Sequence, residues 1–464
     1  MPDDAVTRAR PLEGWRFDRL TARLPLREAT IISPLWRASR LNLYGYAVAA
    51  VYALFLASVY NAGTWIVDTK GVPIYTDFAC AWIAALQAMH GQAASLYDPA
   101  KFVEMQAALV GANDEIYPNW PYPPTYLLIL APFATLRYLP AFIAWDIITL
   151  LGCVIVVYAI TRRPAAIALV LACPFTAWNF LAAQNGFLTA SLLGASLVFL
   201  ERRPALAGVF IGSLTCKPQF GILFPVALVA ARRWRTIASA GITAALLASA
   251  SAAAFGTGVW AAFPRELVAQ AGLNLLADPD SNWGYLQSTY GLIRSLRGGA
   301  ALAWLAQAAM TCGVAVIVWL VWRSRVRYSL QAATLSVGAL IVTPYAFAYD
   351  LAAIAVVAAF LARDQISHGL LKGEQAIAVA LFGTALAFLV TFADRPGGLA
   401  FGSTPIGTLV TIALLGVILR RILCNGRDSA VSYGGDSGPL GRALPALERP
   451  PAAAGRTSLA APRG

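Results

Sequence analysis

Residues 140–163 read PAFIAWDIITLLGCVIVVYAITRR, an apolar stretch from 140 to 161 closed by Arg162-Arg163. At the 1.5 Å rise of an α-helix, about 20 such residues cross the hydrocarbon layer of a bilayer, and a pair of arginines marks the end kept in the cytoplasm. The pattern recurs along the chain. Further apolar stretches fall near 43–62, 164–181, 186–200, 236–255, 301–322, 328–343, 349–362, 373–392 and 404–419, with a short pair over 204–231. Between them stand Arg202-Arg203, Arg232-Arg233-Trp234-Arg235, Arg323/Arg325/Arg327, Arg363 with Lys372, and Arg420-Arg421. Placing every cluster inside yields one path of about twelve spans with both termini cytoplasmic. The expected fold class is all-α, a polytopic transmembrane helical bundle.

Composition supports that reading. Of 464 residues, 59% are hydrophobic and 12% charged, with a mean hydropathy of +0.64, whereas soluble domains carry about 25% charged residues. In lipid the backbone must satisfy its own hydrogen bonds, and apolar runs rich in Ala, Leu and Val do this as helices. The net charge of +12 does not imply a nucleic-acid partner, because the arginines are dispersed between spans instead of forming one face with interleaved aromatics. The six cysteines show no C-x-x-C spacing, so neither a disulfide framework nor a zinc site is indicated. With only His90 and His368, chemistry falls to carboxylates and cations.

The chain divides into a basic leader over 1–42 with eight arginines, a transmembrane domain over 43–421, and a tail over 422–464 rich in Gly, Pro, Ala, Ser and Arg. The leader and tail are expected in the cytoplasm, the leader against anionic membrane lipid and the tail disordered. The first long loop, 63–139, holds Asp68, Asp77, Asp98, Glu104, Asp114 and Glu115 against Lys70, Lys101 and Arg137, which places it outside, in the periplasm. Within it Phe78, Trp82, Leu86 and Met89 recur at helical spacing and predict an interfacial helix. Residues 125–136, after Tyr122-Pro123-Pro124, are short for a crossing and read as re-entrant. The pieces 204–215 and 219–231 are also short, and fit a hairpin reaching partway. A second outer loop covers 256–300.

On this topology the polar motifs that lipid does not explain share the outer face: Tyr75-Thr76-Asp77-Phe78, Tyr97-Asp98-Pro99, Gln184-Asn185-Gly186, Lys217-Pro218-Gln219, the stretch from Asn282 to Ser288 with Tyr285, and Tyr345 through Asp350. Asp77, where the loop meets the interfacial helix, is the candidate general base. Its alternatives are an ordinary loop acid or the N-cap of a helix starting at Phe78. Lys217, between two apolar half-helices, fits a phosphate partner or a snorkelling side chain. Asp350 fits a sugar hydroxyl, an ion pair with Lys217 or an arginine, or a helix-dipole role. Arg294, with Arg265 and Arg297, is a candidate for neutralising phosphate, against salt bridges to Glu266, Asp278 and Asp280. Gln184-Asn185-Gly186 has the composition of a tight turn. Tyr97, Tyr122 and Tyr285 fit either an aromatic belt or stacking on a sugar, and Tyr349 beside Asp350 and Gln219 beside Lys217 are further candidates for binding substrate.

Asp77-Phe78, Leu96-Tyr97-Asp98-Pro99, Tyr122-Pro123-Pro124 with Ala131-Pro132, and Lys217-Pro218-Gln219 together resemble the family-87 glycosyltransferases over about residues 70 to 420. The resemblance implies a membrane glycosyltransferase of the GT-C class with a large first periplasmic loop. It implies Asp77 as catalytic base, and transfer of a hexosyl group, mannosyl by analogy, with inversion from a polyprenyl-phosphate donor to a lipid or glycan acceptor at the periplasmic face of the inner membrane. The aspartate is single, where other GT-C enzymes carry a metal-assisting acidic pair, so no cofactor is required, although a divalent metal fits the class. The competing readings are a transporter or flippase of lipid-linked or small polar solutes, and a glycan ligase or polymerase with the same topology. Oligomeric state is not legible.

Overall fold

The computed structural model describes residues 38–110, 119–276, 283–393 and 405–434, with the side chains at 38–41, 110, 270–276, 285, 388–393 and 425–434 left aside. The chain clusters into two units, residues 24–423 and residues 1–23 with 424–464. The helices and the site belong to the unit 24–423, apart from the end of the last helix. The leader read from the sequence lies outside the described residues through position 37, as does the tail from 435 onward.

Among the described residues the regular structure is helical. α1 (Ala38–Asn61) leads to the first long loop, which carries α2 (Asp77–Met89), α3 (Pro99–Val110) and α4 (Pro124–Ala134). Then follow α5 (Tyr138–Thr161), α6 (Ala165–Ala172), α7 (Pro174–Ala182), α8 (Gly186–Phe199), α9 (Pro204–Ser213), α10 (Leu223–Ala230) and α11 (Trp234–Phe255). The second long loop holds α12 (Gly258–Leu276) and α13 (Thr289–Ser295), and the chain finishes with α14 (Ala300–Arg323), α15 (Tyr328–Ile341), α16 (Ile354–His368), α17 (Glu374–Ala393) and α18 (Ile406–Gly434). No proline falls between Pro405 and Pro439, and α18 continues into the stretch read as a disordered tail, described as far as Gly434.

Six of these stretches are long and apolar enough to cross a membrane: 42–61, α5, α11, α14, 348–368 and 406–424. A seventh arises if α6 and α7, bent by 65°, count as one. α17 has 20 residues, with side chains described as far as position 387, and the other apolar helices among the described residues have 10–17, against about twelve full spans expected from apolar length alone. The difference comes from breaks. Pro174, at the first turn of α7, divides the stretch 164–181, and the stretches 186–200 and 328–343 each yield a helix of 14 residues.

Glycine contacts give the helix directions. A Cβ on Gly208 would meet Thr236 and Ser239, and one on Gly212 would meet Ala240 and Thr243, so α9 and α11 run parallel in close contact along a small-xxx-small stripe. The chain between them must therefore reverse. α10 is the returning limb, Lys217 stands at the tip, and because α9 covers only the first half of α11 the tip lies inside the bundle. By the same logic α5 and α8 are parallel, with Gly152 against Ser191 and Gly194 against Val156, and α8 runs beside 349–356, with Gly186 against Tyr349 and Gly194 against Val356.

These directions gather the arginine-rich ends at one end of the bundle. There Tyr328 Oη donates to the Leu197 carbonyl at 2.5 Å, and Glu201, Arg233 and Arg363 lie near the Tyr328 ring. Asp364 pairs with Arg327 at 3.0 Å and with Arg421 at 3.2 Å, and Arg421 reaches Glu374 at 3.5 Å. Two acids and two guanidiniums thus fasten the starts of α15 and α17 to the far end of α16 and the middle of α18, a pairing that buried charges require.

The opposite end is closed by a second core beneath the first long loop, where Phe78, Trp120, Tyr126, Phe142 and Trp145 are fully buried. Nine of the thirteen residues of α2 are buried. This helix therefore does not lie open on a membrane surface as its apolar stripe predicts. Ala81, Ala84 and Ala88 make the side beside that stripe small enough for neighbouring segments to approach as well.

Candidate active site

The site is built where five chain segments end together. Thr76 caps α2: its backbone is extended and its Oγ1 accepts from the Ala79 N–H at 3.2 Å, while the same hydroxyl meets Tyr138 Oη at 2.8 Å. The capping role weighed for Asp77 is thus taken by Thr76, and Asp77 occupies the first helical position, where the helix dipole favours an acid. Asp77 is exposed to solvent, at the edge of the buried core that begins with Phe78. Its enclosure pushes the carboxyl up to about 6, against the opposing pull of a hydrogen bond from Gln184 and the charge of Lys217.

Gln184 arrives on the turn between α7 and α8. That turn opens with Ala183 at φ +47°, a left-handed conformation costly for a residue with a Cβ. It is held by the Gly186 N–H donating to Asn179 Oδ1 at 2.9 Å and the Asn185 N–H donating to Gln184 Oε1 at 3.0 Å. Gln184 Oε1 also accepts from Tyr122 Oη at 3.2 Å, which orients its amide toward Asp77. A Cβ at Gly186 would overlap the Tyr349 carbonyl, so glycine is what lets this turn sit against the start of residues 348–353.

Lys217 is 2% exposed. Its ammonium donates to Asp350 Oδ1 at 2.5 Å and to Asn185 Oδ1 at 2.8 Å, and lies 4.5 Å from the centre of the Tyr349 ring. Asp350 Oδ2 accepts from the Phe347 N–H at 3.0 Å, which closes the turn into the 3₁₀ segment Ala348–Ala353. Tyr122 and Tyr349 share a hydrogen bond, and burial pushes the Tyr122 phenol above its ordinary value. Among the readings open for Lys217 and Asp350, the structure shows the ion pair.

Seven of the sequence candidates therefore meet: Asp77, Tyr122, Gln184, Asn185, Lys217, Tyr349 and Asp350. Tyr97 stands behind them, its hydroxyl donating to the Tyr122 carbonyl at 2.8 Å and its ring edge-on to Phe263. Gln219 is half-buried on the turn after Lys217. Arg294 lies over the Trp283 ring at 4.6 Å and donates to the Gly298 carbonyl at 3.3 Å, contacts that are local to the second loop. The side chain of Tyr285 lies outside the described residues. Among the described residues no three His, Cys, Asp or Glu side chains stand together as metal ligands.

Two residues escaped the sequence reading. Asn179, fully buried on α7, pins the turn at Gly186. Asp146 is 0% exposed within α5, and neither of its carboxyl oxygens has a hydrogen-bond partner among the described residues. An ionisable residue inside so apolar a stretch was the available signal.

The fold and the cluster define a multi-pass helical membrane protein that holds an accessible carboxyl beside a buried lysine at one end of its bundle. Residues 120–344 match the family model for Glycosyltransferase family 87, so the chain is consistent with a family-87 glycosyltransferase, and the match implies a membrane glycosyltransferase. It is narrower than the span of the resemblance, containing Tyr122, Gln184, Asn185 and Lys217 but not Asp77, Tyr349 or Asp350. No curated protein and no solved structure matches the chain.

Proposed function

We propose that this protein transfers a hexosyl group, mannosyl by family analogy, from a polyprenyl-phosphate donor to a hydroxyl of a lipid or glycan acceptor, with Asp77 as general base. The observation that carries the reading is Asp77 itself: accessible, held by Gln184, facing Lys217, and with a carboxyl at about 6, near the value a base needs to work at neutral pH. In the step, the acceptor oxygen forms a bond to the anomeric carbon as the carbon–oxygen bond to phosphate breaks. The acceptor proton passes to Asp77 and the electron pair leaves on the phosphate, with inversion. The Lys217 ammonium, two of whose N–H groups go to Asn185 and Asp350, supplies the positive potential that the departing phosphate requires. The phosphate is already a fair leaving group, so positioning, deprotonation and charge are what the chain must provide.

The arginine-rich end is assigned to the cytoplasm and the Asp77 cluster to the periplasmic side of the inner membrane, with paired short helices supplying the crossings beyond the six long ones. The bent α6–α7 pair and the buried Lys217–Asp350 pair are also features of transporters, which keeps solute or lipid translocation as the second reading. Proteoliposomes carrying the full chain, given labelled polyprenyl-phosphate hexoses or nucleotide hexoses, separate the two. The proposal expects label in an extractable glycoconjugate from the polyprenyl donor only, lost in Asp77→Asn. Solute uptake without transfer from any donor overturns it.

A further inference from the structure

At the basic end of the bundle the structure holds a cavity of about 680 Å³ where α10 hands over to α11 beside the end of α14. Its walls carry Arg232, Arg233 and Arg323 together with Trp234, Trp319 and Trp322, and no acid is among the described residues that line it. The helical stretch Pro218–Ala230 separates Arg232 from Lys217, about 20 Å along a helix axis, so the cavity is distinct from the Asp77 cluster.

Its walls are fixed by the chain. The Arg232 N–H donates to the Val229 carbonyl at 3.0 Å and the Arg233 N–H to the Leu228 carbonyl at 2.8 Å, closing α10, and Arg232 takes a left-handed φ of +54° that turns the chain into α11. On the facing side Trp322 Nε1 donates to the Gln331 carbonyl at 3.1 Å, and Gln331 Nε2 donates back to the Val321 and Ser324 carbonyls, both at 3.2 Å. Trp234 of the wall is 60% exposed, and outside the cavity Ile242, Leu246, Val316 and Leu320 present apolar surface along α11 and α14. Arg233 and Glu201 both lie near Tyr328, which leaves Arg232 and Arg323 as the lining arginines to substitute.

We infer that this cavity binds the head group of an anionic phospholipid, its phosphate against Arg232, Arg233 and Arg323 and its acyl chains along the exposed apolar faces of α11 and α14. Guanidinium forks suit phosphate oxygens, tryptophans belong at the head-group level, and basic pockets between spanning helices at the cytoplasmic face take such head groups.

The test is lipid retention by the purified full chain in native mass spectrometry, with phosphatidylglycerol and phosphatidylcholine offered in equal amounts. Wild type should retain phosphatidylglycerol selectively, and Arg232→Gln/Arg323→Gln should weaken that retention about 30-fold, from the usual contribution of each arginine near a lipid surface. The control Arg202→Gln/Arg203→Gln removes two equivalent charges from the neighbouring loop and should keep it. Equal loss in both variants means diffuse surface attraction and overturns the site, as does equal retention of the two lipids by wild type. Displacement of the lipid by millimolar inorganic phosphate would make it a free-anion site and overturn the lipid assignment. Thermal melting of each variant establishes that the fold is intact.

Discussion

Removing Lys217 should damage the protein far more than removing Lys217 and Asp350 together. The pair is 2.5 Å apart with side chains 3% and 0% exposed. In Lys217→Met, Asp350 keeps the Phe347 N–H but loses its counter-charge, and a buried charge stripped of its partner costs about 3–5 kcal/mol. Asp350→Leu leaves the ammonium with Asn185 and the Tyr349 ring, and should cost a similar amount. The double variant Lys217→Met/Asp350→Leu replaces both charges with apolar side chains of similar volume, an exchange that is often neutral, so it should lie within about 2 kcal/mol of wild type. The double-mutant cycle then gives a coupling energy of several kcal/mol. It is measured by reversible unfolding in mixed micelles, followed by tryptophan fluorescence. Single variants each costing less than about 1 kcal/mol, and adding in the double, would refute the view that this pair is a tightly coupled buried element.

Gly186→Ala should lower the thermal midpoint and the transfer rate together, although Asp77 is untouched. Its Cβ overlaps the Tyr349 carbonyl and an overpacked position costs about 1–3 kcal/mol; an unchanged midpoint would show that the turn does not need this approach. Asp146→Leu should stabilise the protein by about 1–3 kcal/mol, because it removes a buried carboxyl whose oxygens have no partner among the described residues. Destabilisation in the same unfolding assay would mean that the carboxyl has a partner or a structural duty.

The helical class and most helix positions were legible because lipid allows one answer to a long apolar run bounded by arginines. What the sequence conceals is how such runs break. Apolar length alone counts 164–181 as one crossing, whereas Pro174 turns it by 65°, and the depth of Lys217 depends on the fit of Gly208 and Gly212 against α11, a contact between segments far apart in the chain. The burial of α2 was hidden for a related reason: its apolar stripe is visible, but the alanines beside that stripe carry no pattern that distinguishes a second packing surface from lipid.

The site was legible in its members and not in its connections. Asp77, Lys217 and Asp350 were conspicuous as charges bordering apolar sequence. The pairing of Lys217 with Asp350 stood among the open readings, but choosing it across 133 positions needed the directions of α8, α10 and residues 348–353. Thr76 as the true cap required backbone geometry. Arg294, conspicuous as a basic residue of an outer loop, is engaged by Trp283 and Gly298, because charge pattern does not reveal which loop residue a side chain folds back upon.

The most direct test of Asp77 as general base is the pH dependence of transfer at subsaturating acceptor. A carboxyl at about 6 is active when ionised, so the rate should be level above neutrality and fall about tenfold per pH unit below about 6. Asp77→Asn should lose most of the rate at pH 7.5, and whatever remains should not show that limb. A wild-type rate that stays level down to pH 4.5, or an Asp77→Asn variant that keeps both rate and limb, would contradict the assignment.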